Sequence, residues 1–163
     1  MDIHGEQRNR LKKLWWLHDS YWHATVVREL GEDKANQLNL EANERFFRKY
    51  TLMLLKSGEI ERPQSIEDLM GIFKDIWEDC FFDGMYINEP VSFQGNDATW
   101  IGHQCNAYDS LNKAHMTKGY ACGCQAIRNG VMKALRLKPI HSIEESLVNG
   151  DGRCVINFSF EKK

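Results

Sequence analysis

Cysteine and histidine side chains that could do chemistry are concentrated in the C-terminal half of the chain. Cys122 and Cys124 stand one residue apart in the stretch YACGCQA, and His103 and Cys105 have the same spacing. Thiolates are nucleophiles and metal ligands, and imidazoles act as bases or as ligands. The first pair is therefore a metal clamp, a redox pair, a nucleophile with a neighbour, or two small packing residues. The same half also contains His115, His141 and Cys154.

The spacing of Cys122 and Cys124 constrains these alternatives. Apolar residues after Ala121 recur at helical intervals and predict a helix over residues 120–136. Residues two apart on a helix lie about 200° apart around its axis, so both sulfurs cannot face one ion. We therefore expect one thiol to point into a pocket while the other packs. If Cys122 begins the helix, the helix N-terminus lowers its pKa and favours it as the reactive thiol.

His103 and Cys105 share one face if ATWIGHQC is a strand. They are then a nucleophile with its base, two metal ligands, or a packed cysteine beside a surface histidine. No C-x2-C…C-x2-C or H-E-x-x-H pattern is present, so the metal signal is weak. A metal cofactor, if bound, is expected to be zinc or another transition metal held by Cys105, Cys122 and Cys154.

The first predicted helix carries a second group of candidates. Asp19 and His23 stand at i and i+4, which suits an oriented base, a metal site or a helix-surface ion pair. Aromatic residues on the same helix predict either a pocket wall or core packing; they are Trp15, Trp16, Tyr21 and Trp22.

The bulk composition limits the class of protein. The 163 residues, 42% hydrophobic and 27% charged, predict a single globular domain over 1–163. With Lys+Arg 21 against Asp+Glu 23, there is no basic surface for nucleic acid. No apolar run approaches the roughly 20 residues that cross a bilayer. An odd count of five cysteines and no secretory signal lead us to expect a cytoplasmic protein with reduced thiols.

The order of elements predicts an α+β fold. Helices are expected over 6–30, 32–56 and 65–82, which makes residues 1–84 a helical part. Residues 85–163 are expected to form an antiparallel sheet with helices, from strands 85–93 and 98–105, helices 105–118 and 120–136, and a hairpin. That hairpin joins strands 140–148 and 153–160 through the turn NGDG. The helical half is expected to pack on the sheet.

The C-terminal half resembles a known family. Its motifs are Cys105, the Cys122 or Cys124 segment, and the closing NGDGRCVINFSF, with Gly150, Asp151, Cys154 and Phe158 at the shared positions. They resemble the L-2-amino-thiazoline-4-carboxylic acid hydrolase-like family and its uncharacterised relatives. The tryptophan-rich first helix and the step from Ala35 to Asn39 also resemble those relatives.

The resemblance implies hydrolytic opening of a thiazoline ring. That reaction needs an activated water or thiolate at an amidine-like carbon and an acid for the leaving sulfur or nitrogen. It implies Cys105 and Cys122 as catalytic thiols and His103 as base. The binding site is then expected to contain Cys124, Asp151, Trp22 and Tyr120.

Two other interpretations stay open. The last forty residues more distantly resemble the 4-vinyl reductase domain, through GYA at 119–121 and the late Gly-Asp-x-x-Cys strand. That resemblance implies a sensor-like domain that binds a small molecule or a metal without catalysis. Zinc-bearing members use Glu-x-x-Cys-x7-Cys, whose first two ligand positions are Ile143 and Ser146 here. A third interpretation is an oligomer whose cysteines only pack, and the aromatic helix faces are compatible with a homodimer.

Overall fold

The fold is seen in a computed structural model that describes residues 3–138 and 141–161. Within these ranges, five α-helices and a five-stranded antiparallel sheet confirm the α+β prediction. The helices are α1 (Ile3–Leu30), α2 (Glu32–Ser57), α3 (Ile66–Cys80), α4 (Asn106–Lys113) and α5 (Cys124–Leu135). The strands are β1 (Tyr86–Asn88), β2 (Ser92–Gln94), β3 (Asp97–Cys105), β4 (His141–Glu145) and β5 (Cys154–Ser159).

The ends of the first helices lie where the capping residues predict them. Gly58 adopts a left-handed conformation, φ +80°, and its N–H donates to the carbonyl of Leu54 at the end of α2. Ser65 begins α3, because its Oγ accepts a hydrogen bond of 3.1 Å from the backbone N–H of Asp68. The predicted end of α3 at residue 82 is two residues too late. Phe81 is already extended there, and its side chain is buried in the core.

The strands pair in the order β1-β3-β5-β4, and β2 also pairs with β3. The strand predicted over 85–93 is two short strands, because Pro90 between them has no N–H for the ladder. The hairpin of β4 and β5 is confirmed, with His141 opposite Phe158. Ile140, which the sequence pattern included in β4, lies outside the described residues.

One hydrophobic core contains residues of both halves. Phe73 of α3 packs against Phe158 of β5 with ring centroids 5.4 Å apart. Helix α5 lies directly against α2, and a Cβ on Gly130 would lie 2.4 Å from the carbonyl oxygen of Glu44. The helical half thus packs on the sheet as predicted, and α5 lies in close contact with α2 at Gly130.

No described helix combines the length and the apolar character that a bilayer-spanning segment requires.

Candidate functional site

A cavity of about 460 Å³ lies between the helices and one face of the sheet. Its walls come from α1, the start of α4, the start of α5 and strands β3 and β5. Four of the five cysteines line it, namely Cys105, Cys122, Cys124 and Cys154. The structure therefore brings together the thiols whose grouping the sequence left open. Cys80 is not among the lining residues.

Cys105 and Cys154 reach the cavity from the sheet. Cys105 is the last residue of β3 and directly precedes α4, whose backbone N–H groups at Ala107 and Tyr108 oppose the rise in its pKa. The Sγ of Cys154 accepts from the N–H of Leu147 at 3.5 Å. Burial raises the pKa of Cys105 to about 12 and also raises that of Cys154. Both are therefore neutral thiols at physiological pH.

Cys122 and Cys124 come from the other side, and their thiols lie close enough that each is the largest influence on the pKa of the other. The expectation that they point apart is wrong. Helix α5 begins at Cys124, four residues later than predicted, so Cys122 lies before the helix. The separation of about 200° applies only when both residues are helical. The premise that Cys122 begins the helix is wrong for the same reason.

Asn36 of α2 holds the segment that leads into this pair. Its Nδ2 donates to the carbonyl of Gly119 at 2.6 Å, and its Oδ1 accepts from the N–H of Ala121 at 3.0 Å. Gly119 adopts φ +78°, a conformation that suits glycine. One amide side chain of α2 thereby satisfies two backbone groups of the loop and fixes where the thiols lie.

The pKa values of the two thiols are shifted in opposite directions. The hydrogen bond from Cys122 lowers the pKa of Cys124 to about 6, and the positive charge of Arg128 and a contact from the Tyr86 hydroxyl add to this effect. The Oη of Tyr86 lies 3.9 Å from the Cys124 Sγ. The pKa of Cys122 is raised well above its ordinary value by that same hydrogen bond and by burial. The arrangement therefore favours Cys124 as the thiolate and Cys122 as its proton-bearing partner.

Arg128 lies one helical turn after Cys124 and is only 3% exposed. Its Nε and Nη2 have no hydrogen-bond partner among the described residues. Buried polar atoms almost always have partners, so a ligand group that accepted hydrogen bonds from these donors would satisfy them. Sequence reasoning missed Arg128. The available signal was a cation four residues after a cysteine on an otherwise apolar helix face.

His23 and Asp19 of α1 form the opposite wall. His23 is 8% exposed, and its Nδ1 has no partner among the described residues. Its ring meets that of Tyr120 edge-on, with centroids 5.9 Å apart. Burial lowers the pKa of His23, while the negative charge of Asp19 opposes the shift. His23 is thus a neutral imidazole facing the cavity, and the surface ion pair considered from the sequence does not describe it.

The other predicted site residues lie in different places. Tyr120 lines the cavity, as expected of a binding residue. His103 does not line it, and its Nε2 lies 2.6 Å from the Oε1 of Glu89 with 45% of the His103 side chain exposed. Trp22 is 44% exposed on the outside of α1. The structure thus does not bring His103 or Trp22 to the cysteines.

Asp151 does not line the cavity, but it supports one of the cavity walls. Its Oδ2 accepts from the N–H of Ser146 at 2.8 Å, and the Oγ of Ser146 accepts from the N–H of Val148. These bonds hold the short 3₁₀ turn Leu147–Asn149, whose residues Leu147 and Val148 line the cavity. Asp151 is a positioning residue for this wall.

The predicted metal centre has no support in the structure. Across residues 3–138 and 141–161, no group of three His, Cys, Asp or Glu side chains is placed to hold a metal ion. Cys105, Cys122 and Cys154 share the cavity without forming such a group.

Comparison of the chain with protein-family models, curated proteins and solved structures finds no match. The resemblance to the thiazoline-carboxylate hydrolase-like family therefore stays a prediction.

Proposed function

We propose that the cavity binds a small organic anion and that Cys124 attacks it as a thiolate, in hydrolysis of a thiazoline-carboxylate-type ring. The observation that carries the proposal is buried Arg128, which has two unused donors among the described residues and lies one turn from the Cys122 and Cys124 pair. A nucleophile and an anion anchor on one helix face are the two elements that such a substrate requires.

Arg128 supplies the anchor. Guanidinium groups bind carboxylates through two parallel hydrogen bonds, and Nε and Nη2 are two of the donors that make such a fork. Both are unused among the described residues. A cavity of about 460 Å³ falls within the size range of small-molecule sites. A thiazoline carboxylate is smaller than this volume, and Arg128 is one of the residues that line it.

The covalent chemistry follows from the thiol pair. The Cys124 thiolate adds to the amidine-like carbon, and one ring bond to that carbon breaks. The leaving sulfur or nitrogen takes the proton of Cys122, because His23 is neutral. Water then adds to the same carbon and returns a proton to Cys122, the bond to Cys124 breaks, and the thiolate is restored. The net change is addition of one water molecule to the ring.

Turnover of 2-aminothiazoline-4-carboxylate by the reduced protein tests the proposal, with ring opening followed by mass spectrometry. We expect Cys124→Ser to lower kcat/KM by roughly a thousandfold or more, because the nucleophile is lost. Cys80→Ser is the matched control, since Cys80 lies outside the cavity, and we expect it to stay within about twofold of the parent. Equal activity of the two variants would contradict the role of Cys124.

A second candidate is a non-catalytic binding domain. It is favoured by the placement of His103, because the expected base for Cys105 is bonded to Glu89 outside the cavity. In that case the carboxylate raises the melting temperature of the parent and of Cys124→Ser equally, and neither protein changes the ligand. The two outcomes separate the candidates directly.

The proposal also implies a reducing compartment, and we propose the cytoplasm. All five cysteines are free in the structure, and a site that depends on a thiolate persists only where thiols stay reduced.

A further inference from the structure

The contact between Cys122 and Cys124 gives the cavity a second chemical capability. We propose that a peroxide oxidises these two thiols to a reversible intramolecular disulfide, which makes the pair a redox-modification site. The oxidation requires no turnover of a thiazoline, so a protein that does not hydrolyse the thiazoline could still form the disulfide.

The backbone between the two cysteines permits the bond. The distance between their Cα atoms depends on the torsion angles of Gly123, which are φ −67° and ψ −19°, close to helical values. Helical geometry places Cα atoms two residues apart at about 5.4 Å. Disulfides span Cα distances of about 4.4–6.8 Å. Since Cys122 lies before α5, its side chain does not have to follow the helical direction, and both cysteines line the same cavity.

The other thiols are worse partners for Cys124. Cys105 ends β3, and Cys154 begins β5, where its sulfur accepts from the N–H of Leu147. Both therefore reach the cavity from the sheet, whereas Cys122 is two residues from Cys124 on the same segment. Cys80 is outside the cavity. The structure therefore favours Cys122 as the resolving thiol.

The reaction balances with hydrogen peroxide as the oxidant. The Cys124 thiolate attacks one peroxide oxygen, the O–O bond breaks, and the departing hydroxide takes a proton to give water. Cys124 is then a sulfenic acid. The Cys122 sulfur attacks the Cys124 sulfur, and the hydroxyl leaves with the Cys122 proton as a second water. Thiol–disulfide exchange with a dithiol reductant restores both thiols.

Peptide mapping tests the proposal on the parent protein. Trypsin places Cys122 and Cys124 together in 119–128, Cys80 and Cys105 in 75–113, and Cys154 in 154–162. Reduced protein is treated with a small excess of hydrogen peroxide, and the remaining thiols are alkylated before digestion. We expect peptide 119–128 to lose two hydrogen atoms and to escape alkylation, while the other cysteine peptides are alkylated. Dithiothreitol should reverse the change.

Two variants identify the order of events. In Cys122→Ser, we expect peroxide to leave a sulfenic acid on Cys124 that dimedone traps, because the resolving thiol is absent. Cys154→Ser is the matched control and should form the disulfide like the parent. A cross-link between 119–128 and another cysteine peptide would overturn the proposal. So would complete alkylation of 119–128 after treatment that oxidises glutathione in the same tube.

Discussion

Replacement of Arg128 by methionine should make the unliganded protein more stable while removing its affinity for anions. The guanidinium is buried, and two of its nitrogens have no partner among the described residues. Each unsatisfied buried donor costs about 1–3 kcal/mol, so removing two relieves about 2–6 kcal/mol. Methionine keeps the apolar stem in place and leaves no polar atom without a partner.

An opposing effect reduces this gain. Arg128 helps to lower the pKa of Cys124, although the hydrogen bond from Cys122 is the larger cause. One pKa unit corresponds to about 1.4 kcal/mol, so loss of the attraction removes part of that amount at pH 7. We therefore expect Arg128→Met to raise the free energy of unfolding by about 1–5 kcal/mol, the gain from the two donors less this loss. For a chain of this size each kcal/mol raises Tm by about 2–4 °C.

The assay is urea and thermal unfolding in a buffer without phosphate or sulfate. It is repeated with 2-aminothiazoline-4-carboxylate and with the uncharged carboxamide. At a hundred times Kd, a ligand stabilises the folded state by about 2.7 kcal/mol. We expect this effect for the carboxylate on the parent protein and its absence in Arg128→Met.

Lys133→Met is the matched control, because Lys133 is on the same helix and forms a partly exposed ion pair with Glu44. Its free energy of unfolding should change by no more than about 1 kcal/mol, and its response to the carboxylate should be unchanged. The reasoning is refuted if Arg128→Met loses more than about 1 kcal/mol without ligand, or if the carboxylate still stabilises it.

Two further predictions concern stability. Gly130→Ala should lower the free energy of unfolding by about 1–3 kcal/mol, because the new Cβ would lie 2.4 Å from a backbone oxygen of α2. Gly71→Ala is the control: no atom lies within 4 Å of its Cβ, so it should be neutral or stabilise the fold by up to about 1 kcal/mol. Equal urea midpoints for the two would contradict the close approach of α2 and α5. Burial and the charge of Arg128 lower the pKa of His141 to about 4. Its neutral form stabilises the fold above about pH 6.5, and this contribution is lost as pH falls toward 4, by up to about 1.4 kcal/mol per pH unit. When urea unfolding is repeated at a series of pH values, His141→Gln should lose less stability than the parent between pH 6.5 and pH 4, whereas the exposed-site control His4→Gln should follow the parent. The same pH dependence of the free energy of unfolding in the parent and in His141→Gln would contradict the burial argument.

Features set by neighbouring residues were predictable from the sequence. Ser65 and Gly58 mark helix ends through their own side-chain and backbone chemistry, and the NGDG turn predicts the β4 and β5 hairpin. The division of the strand at Pro90 follows equally from its missing N–H, although the alternation of apolar residues obscured it.

Features set by contacts between distant segments were not predictable. Helical periodicity extended α5 back to residue 120, but Asn36 of α2 binds that segment across 85 positions of sequence and holds it out of the helix. The alternation of side chains along a strand predicts His103 and Cys105 on one face of the sheet, but the strand ends at Cys105 and the chain turns there into α4. Cys105 therefore reaches the cavity while His103 stays outside. Arg128 became notable only once its burial without partners was visible.

The central claim is that Cys124 is a thiolate beside a buried cation, Arg128, two of whose donors have no hydrogen-bond partner among the described residues. Thiolates attack both iodoacetate and iodoacetamide, but only iodoacetate is an anion. Their rates of reaction with Cys124 in the reduced protein at pH 7, read from fragment spectra of the tryptic peptide that contains it, therefore test both halves of the claim. We predict that iodoacetate reacts faster than iodoacetamide at Cys124, that the order reverses at Cys80, and that Arg128→Met removes the preference. Faster reaction with iodoacetamide at Cys124, or no faster alkylation of Cys124 than of Cys80, would contradict the account.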